Sequence, residues 1–357
     1  MYMENKILSS GAYGCIYHPG YKCSGNTSTN QKIVTKVQRD IDSVVSNELD
    51  ISKMITSIQN YEKYFGPVIK SCKLNIAEIK DDTIQKCKTI KNQNDIILMH
   101  LRYINSEPFN DRISYLINKA TSRFSKIRLL QIIIKSYIHC LESIELLVEK
   151  EIIHFDLHGN NLLFNIDNNT PVLIDFGLSM QKNKISKFFT SRDSFIFNIN
   201  PSLKQYSIEI QLLKYYLSNK ISRDKINKTC IKYFVNASVL TATNEIYPTF
   251  FNEYLEIANT YFNKLFKKSK IDILTELKSY WNTWDNYCIS LIFLKSLNSL
   301  ILNNKINKHN IIILKIYKLL VANISPNPKN RLTISDTISK FKNILKSNNG
   351  NISDILI

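Results

Sequence analysis

A long apolar stripe, followed at once by a polar loop and two short strand-like runs, constrains this chain more than any other stretch. Leu130, Ile134, Tyr137, Leu141, Ile144 and Val148 recur at spacings of 4, 3, 4, 3 and 4, which lays them along one face of a helix. A stripe that continuous must be buried, so it predicts a core helix. Directly after it the chain reads Ile152-Ile153-His154-Phe155-Asp156-Leu157-His158-Gly159-Asn160-Asn161. Residues 162–165 and 171–174 are strand-like and are separated by the turn-forming Asp167-Asn168-Asn169. Asp175-Phe176-Gly177 comes fourteen positions beyond Asn161.

The first hundred residues have a different texture. Residues 5–18 predict two strands around a glycine turn, and 32–38 and 96–101 are further strands. Between them Val44, Glu48, Ile51, Ile55 and Ile58 recur at spacings of 4, 3, 4 and 3, one helix stripe, with Asp42 and Ser43 suited to its start. A carboxylate on that inward stripe is costly unless it is paired. Lys36, deep in the apolar run Ile33-Val34-Thr35-Lys36, is the natural partner of Glu48; Lys32 and Glu62 are the weaker rivals. Beyond about residue 103 the pattern is helical, and Thr333 and Asp336 make a capping-box-like start for a helix carrying Ile338, Phe341 and Leu345. The fold class is therefore α+β, with a small β-rich N-terminal part and a larger helical remainder.

His154 to Asn161 followed by Asp175-Phe176-Gly177 resembles the catalytic loop and magnesium-binding segment of eukaryotic-type protein kinases. The resemblance implies that Asp156 orients or accepts the proton of an acceptor hydroxyl, and that Asn161 and Asp175 hold magnesium or manganese. Leu8-Ser9-Ser10-Gly11-Ala12-Tyr13-Gly14-Cys15-Ile16 is similar to the glycine-rich loop over the ATP phosphates, with Ser9 in place of its first glycine. Lys36 and Glu48 match the lysine–glutamate pair of active kinases, and residues 100–103, with Met99 and Leu101, fall where the adenine is received. Asn327-Pro328-Lys329-Asn330-Arg331-Leu332-Thr333 looks like the segment whose arginine pairs with a glutamate, here Glu209 of Tyr206-Ser207-Ile208-Glu209. Asp285, in Trp284-Asp285-Asn286-Tyr287-Cys288-Ile289-Ser290-Leu291, matches the aspartate that braces the catalytic loop.

The resemblance covers residues 7–345 and looks most like serine/threonine kinases of giant DNA viruses. It implies a two-lobed fold, with an N-lobe over 1–102, a C-lobe over 103–345 carrying a helical insertion over 210–281, and a frayed tail over 346–357. Two departures stand out. Phe155 replaces the usual arginine that pairs with an activation-loop phosphate, which implies constitutive competence although Ser179, Ser186, Thr190, Ser191 and Ser194 lie in that region. His158 replaces a lysine near the transferred phosphate and gives the loop a likeness to small-molecule kinases of the aminoglycoside and choline type. A small-molecule phosphotransferase and a basic pseudokinase scaffold are the competing readings. Intact Lys36, Asp156, Asn161 and Asp175 argue against the scaffold.

Composition adds bounds. The net charge of +17 comes from lysines spread along the chain, which favours an acidic protein substrate over a dedicated nucleic-acid site. The apolar stretch at 311–321 is broken by Lys315 and Lys318, so no membrane span is expected. Seven cysteines at Cys15, Cys23, Cys72, Cys87, Cys140, Cys230 and Cys288 contain no Cys-x-x-Cys. That predicts free thiols in an intracellular, cytoplasmic setting (host cytoplasm or virion), with Cys23, Cys72 and Cys87 the set able to meet for a disulfide or metal.

Overall fold

The computed structural model describes residues 5–11, 14–39, 42–91, 93–190, 206–217 and 222–346. Two compact units account for it: Met1–Ser106 with Asn165–Asn168 and Val172–Ser179, and Glu107–Phe164 with Asn169–Pro171 and Met180–Ile357. The tail expected over 346–357 lies outside the described residues from 347 onward.

The first unit is built on strands β1 (Lys6–Ser10), β2 (Gly14–His18), β3 (Ile33–Arg39), β4 (Phe65–Gly66), β5 (Val68–Asn75) and β6 (Asp95–Arg102), with helix α1 (Asp42–Thr56). Five of the strands form one sheet in the order β1-β2-β3-β6-β5. Every neighbouring pair in it is antiparallel. The lysines that interrupt 68–75 hid strand β5 from the sequence pattern; it lies at the sheet edge, where exposed lysines cost little.

Alternation along the strands gives the sheet two working faces. Cys15, Tyr17, Val37, Leu74, Ile96 and Leu98 point to one face, where Ile79, Ile84, Cys87 and Ile90 cover them. Ile97 and Met99 point to the other, where Val45 and Leu49 of α1 pack with Val68 and Leu101. Lys36 pairs with Met99 in the ladder, so β3 sends it to the α1 face. Ile51 and Ile55 of the expected stripe are buried, whereas Ile58 lies past the helix end and is buried by the turn that follows.

The cysteine expectation is overturned in this unit. Cys15 is bonded to Cys87 and Cys23 to Cys72, while Cys140, Cys230 and Cys288 are buried and form no disulfide. Partners 72 and 49 residues apart meet because the antiparallel ladder and its covering turns bring them together, which spacing along the chain does not reveal.

After the short β7 (Ser106–Pro108) the chain turns helical: α2 (Phe109–Lys119), α3 (Arg123–Glu149), α4 (Ile185–Thr190), α5 (Ile208–Leu217), α6 (Arg223–Asn236), α7 (Ser238–Ile246), α8 (Phe250–Leu265), α9 (Lys270–Ser279), α10 (Trp284–Leu302), α11 (Ile311–Asn323) and α12 (Ile334–Lys346). The stripe that opened the sequence reading lies on α3, with Leu130, Ile134, Tyr137, Leu141 and Ile144 all buried. Helix α10 is buried almost all round; its Phe293 packs on Phe109 and Tyr137. Within 210–281 the described residues, 210–217 and 222–281, are mostly helical. At the start of α12 the Thr333 hydroxyl accepts the Asp336 N–H at 3.1 Å, the cap the sequence proposed.

A buried ion pair ties α5 to the segment before α12. Arg331 Nη1 and Nη2 donate to the two Glu209 oxygens at 2.6 and 2.8 Å, and Nε donates to the Ser325 carbonyl at 2.8 Å. Both side chains are fully buried, and the guanidinium lies 4.7 Å from the centre of the Tyr287 ring. Removing one partner strands the other charge without solvent. Glu209→Ala is expected to lower the unfolding free energy by about 3–5 kcal/mol in urea titration. A loss under about 1 kcal/mol, the value of a surface pair, contradicts this account.

Candidate functional site

In the first unit the α1 face of the sheet carries the expected pair and one more group. Lys36 Nζ donates to Glu48 Oε1 at 2.9 Å, to Glu48 Oε2 at 3.0 Å and to Asp175 Oδ1 at 3.0 Å. Asp175 arrives because β8 (Thr170–Ile174) places Leu173 and Ile174 parallel to Phe65 and Gly66 of β4. Next along, Phe176 packs its ring on Phe65, and Asn47 of α1 donates to the Ser179 carbonyl at 2.7 Å. Lys32, the rival lysine, is exposed.

Burial lowers the Lys36 pKa, but the Glu48 and Asp175 charges outweigh it and the net shift is upward. For Glu48 burial dominates and the shift is also upward, with Lys36 opposing. The ammonium is the group that stays charged, because two carboxylates hold it. Asp175 keeps 45% of its side chain exposed while one oxygen takes Lys36. It also has φ of +63°, a left-handed conformation that a non-glycine residue holds only where surrounding contacts impose it.

The glycine turn shows mixed outcomes. Leu8, Ser9, Ser10 and Gly11 are exposed, and Ile16 is half-buried; Ala12 and Tyr13 lie outside the described residues. Gly11 N–H donates to the Gly14 carbonyl at 2.8 Å. A Cβ on Gly14 would stand 2.0 Å from the Val37 carbonyl oxygen, so strand approach alone demands glycine there. The Cys15 side chain is buried on the opposite sheet face and bonded to Cys87, so only its backbone lies along the glycine turn. Met99 is buried against α1 and Leu101 is half-buried at its edge.

The second unit holds the loop. Asp285, at the start of α10, accepts the His154 and Phe155 N–H groups at 2.7 and 2.9 Å. Phe155 has φ of +68° and is buried, its ring 5.1 Å from that of Tyr206 and 6.0 Å from that of Trp284. Asp156 then receives two donors: Asn161 Nδ2 reaches its Oδ2 at 3.1 Å and its carbonyl at 3.0 Å, and the Tyr206 hydroxyl reaches Oδ1 at 3.1 Å. His158 Nδ1 accepts the Asn160 N–H at 3.2 Å, which puts the ring proton on Nε2, 3.7 Å from Asp156 Oδ2. A Cβ on Gly159 would fall 1.9 Å from Asn110 Nδ2 of α2, so a larger residue there would have to displace that side-chain amide.

Lys36, Glu48 and Asp175 thus come together in the first unit, and Asp156, His158 and Asn161 in the second. Tyr206 is the addition, read in the sequence only as a neighbour of Glu209. Nothing in its spacing marks a tyrosine fifty residues away as a donor to Asp156. Asn161 turns its amide nitrogen toward Asp156, which leaves the amide oxygen for another partner. That oxygen and the exposed part of the Asp175 carboxylate are hard donors of the type magnesium takes. Ser179 is buried and Ser186 accepts from Lys278; Ser191 and Ser194 lie outside the described residues.

The ion cluster sets a pH dependence. A lysine whose folded pKa is raised contributes stability that is complete below its ordinary 10.5 and lost as pH climbs through the higher folded value. The stability difference between wild type and Lys36→Met should therefore be flat from neutrality to about pH 10 and shrink above it. Urea midpoints measured across that range test this, and a difference that shrinks between pH 7 and 9 refutes it.

No protein-family model matches the chain, and no curated protein matches it, so the chemistry of these side chains is what bears on its function.

Proposed function

We propose that the chain is an ATP-dependent protein kinase with a two-lobed kinase fold, transferring the γ-phosphoryl group to serine or threonine hydroxyls of acidic protein substrates. One observation carries the reading: a mostly buried lysine on the third strand held by a helix carboxylate and by an aspartate 139 residues further on. A structural ion pair needs one carboxylate. A lysine that also meets an aspartate left 45% exposed supports a group set for phosphate and metal.

In this reading Lys36 orients the phosphates and Glu48 orients Lys36. Asp175 and Asn161 would hold magnesium, which neutralises charge on the transferred group. Asp156, fixed by Asn161 and Tyr206, accepts or orients the hydroxyl proton. The Asp285 brace and the Arg331–Glu209 pair support a protein kinase over a small-molecule enzyme, since both belong to the resemblance in the helical part. His158 beside Asp156 is the observation that favours the second reading, a small-molecule phosphotransferase.

Radiolabelled ATP offered to acidic and basic proteins, and to a panel of amino-alcohols, separates the two. Label in protein serine and threonine is expected; label confined to small molecules overturns the first reading, and no transfer with metal present overturns both. Asp156→Asn should reduce turnover by about 10²–10⁴-fold with nucleotide binding retained. Lys36→Ala should fail similarly. Phe155 offers an apolar ring where a phosphate-binding arginine is usual, so phosphatase treatment should leave turnover unchanged. Loss of turnover that returns on rephosphorylation contradicts constitutive competence.

A further inference from the structure

The sheet face opposite Lys36 holds a group of side chains that phosphoryl transfer does not use. The Cys23 and Cys72 sulfurs and a ring nitrogen of His100 lie within 4.8 Å of one another, and all three residues are half-buried. We infer that the thiol form of the protein binds one Zn²⁺ through Cys23, Cys72 and His100, and that the Cys23–Cys72 disulfide is the metal-free, oxidised form of the same site.

Three features support this. First, His100 Nε2 lies 2.8 Å from the Tyr21 carbonyl, and only a protonated ring nitrogen can donate to it. That fixes the tautomer and leaves Nδ1 with a lone pair. Nδ1 is buried and has no hydrogen-bond partner among the described residues. A ligating imidazole characteristically has its other nitrogen donating to a carbonyl, which orients the ring and raises its basicity. Second, the ligand positions are set by backbone bonds that do not depend on the disulfide. Cys23 sits in a tight turn closed by Lys22 N–H to the Asn26 carbonyl at 2.8 Å and by Gly25 N–H to the Lys22 carbonyl at 2.9 Å. Cys72 stands opposite Leu98 in the β5–β6 ladder, and His100 is two residues further along β6. Third, two thiolates and a neutral imidazole are the donor set that borderline-soft zinc prefers, and tetrahedral zinc spaces its ligand atoms by about 3.5–3.8 Å. The observed spread needs only small side-chain shifts. Among the described residues no third ligand joins Cys15 and Cys87, which are wholly buried.

The two forms interconvert by balanced steps. A dithiol reductant gives two electrons and two protons to the Cys23–Cys72 bond, yielding two thiols and the cyclic disulfide of the reductant. Zn²⁺ then displaces both thiol protons to solvent, so the bound ion faces two thiolate charges. Oxidation returns two electrons to a disulfide acceptor, reforms the S–S bond and releases the ion.

The test uses the full chain and needs no activity assay. Protein reduced with excess dithiol, desalted without oxygen and confirmed by mass to carry alkylatable Cys23 and Cys72 is titrated with Zn²⁺ and separately with Co²⁺. One equivalent should bind, Co²⁺ should show thiolate charge-transfer and tetrahedral d–d bands, and Zn²⁺ should shield Cys23 and Cys72 from alkylation. Cys72→Ser should abolish binding, and His100→Ala should weaken it by at least about tenfold. Cys15→Ser should leave it intact. Absence of binding by the reduced wild type, or lack of shielding at Cys23 and Cys72, overturns the inference whatever the variants do. Unchanged affinity in folded His100→Ala removes the histidine and overturns it too.

Discussion

A buried ammonium is the constraint on which the first unit depends. Lys36 leaves water only because Glu48 and Asp175 replace its solvation, and each comes from a different piece of backbone. Strand alternation sends Lys36 to the α1 face, the inward stripe of α1 brings Glu48 to meet it, and the parallel pairing of β8 with β4 carries Asp175 in. An unpaired lysine there would cost several kcal/mol, an appreciable share of the roughly 5–15 kcal/mol that holds a domain folded. Any arrangement of these elements that failed to close the ion triangle would therefore be penalised strongly.

The second unit buries a carboxyl group against backbone donors. Asp285 is buried and its pKa is pushed up by that burial, with the nearby His154 and the Phe155 and His154 N–H groups opposing. The two backbone donors fix a stretch that holds Phe155 in a left-handed conformation immediately before Asp156. Strain of this kind costs about 1–3 kcal/mol and persists only when neighbours over-determine it. Here the neighbours are the buried Asp285 carboxyl group at the start of α10 and the rings of Tyr206 and Trp284. The Phe155 ring fills a packed position that supports this strain.

What the sequence allowed to be read was whatever local periodicity and chemical cost dictate. Glu48 on an apolar stripe demanded a cation, and Lys36 in an apolar run demanded an anion, so the pair could be matched across twelve residues without coordinates. The α3 stripe, the Thr333 cap and the helical character of 210–281 were readable for the same reason. Tyr206 was not, because a hydroxyl that donates to a carboxylate leaves no trace in spacing or burial pattern. Strand β5 was hidden by lysines that an edge position tolerates. The cysteine pairs were hidden more deeply. Neither pair has a signature spacing, and only the sheet register decides which sulfur faces which.

That register links the two faces of the first unit. Adjacent residues of β3 serve opposite sides: Thr35, wholly buried, exchanges hydrogen bonds with the Tyr21 backbone beside His100, while Lys36 enters the ion triangle. A slip of one residue in β3 would reverse every side chain. It would send the ammonium among Tyr17 and Leu98 and leave Glu48 facing a threonine or valine. The Tyr21–Thr35 bonds, the cross-link of Cys15 to Cys87 and the Lys36 pair consequently select one register from both faces at once. A single strand so constrained has little freedom to adjust on one side without disturbing the other. The cysteine–histidine cluster and the lysine are thereby coupled through the length of one peptide unit.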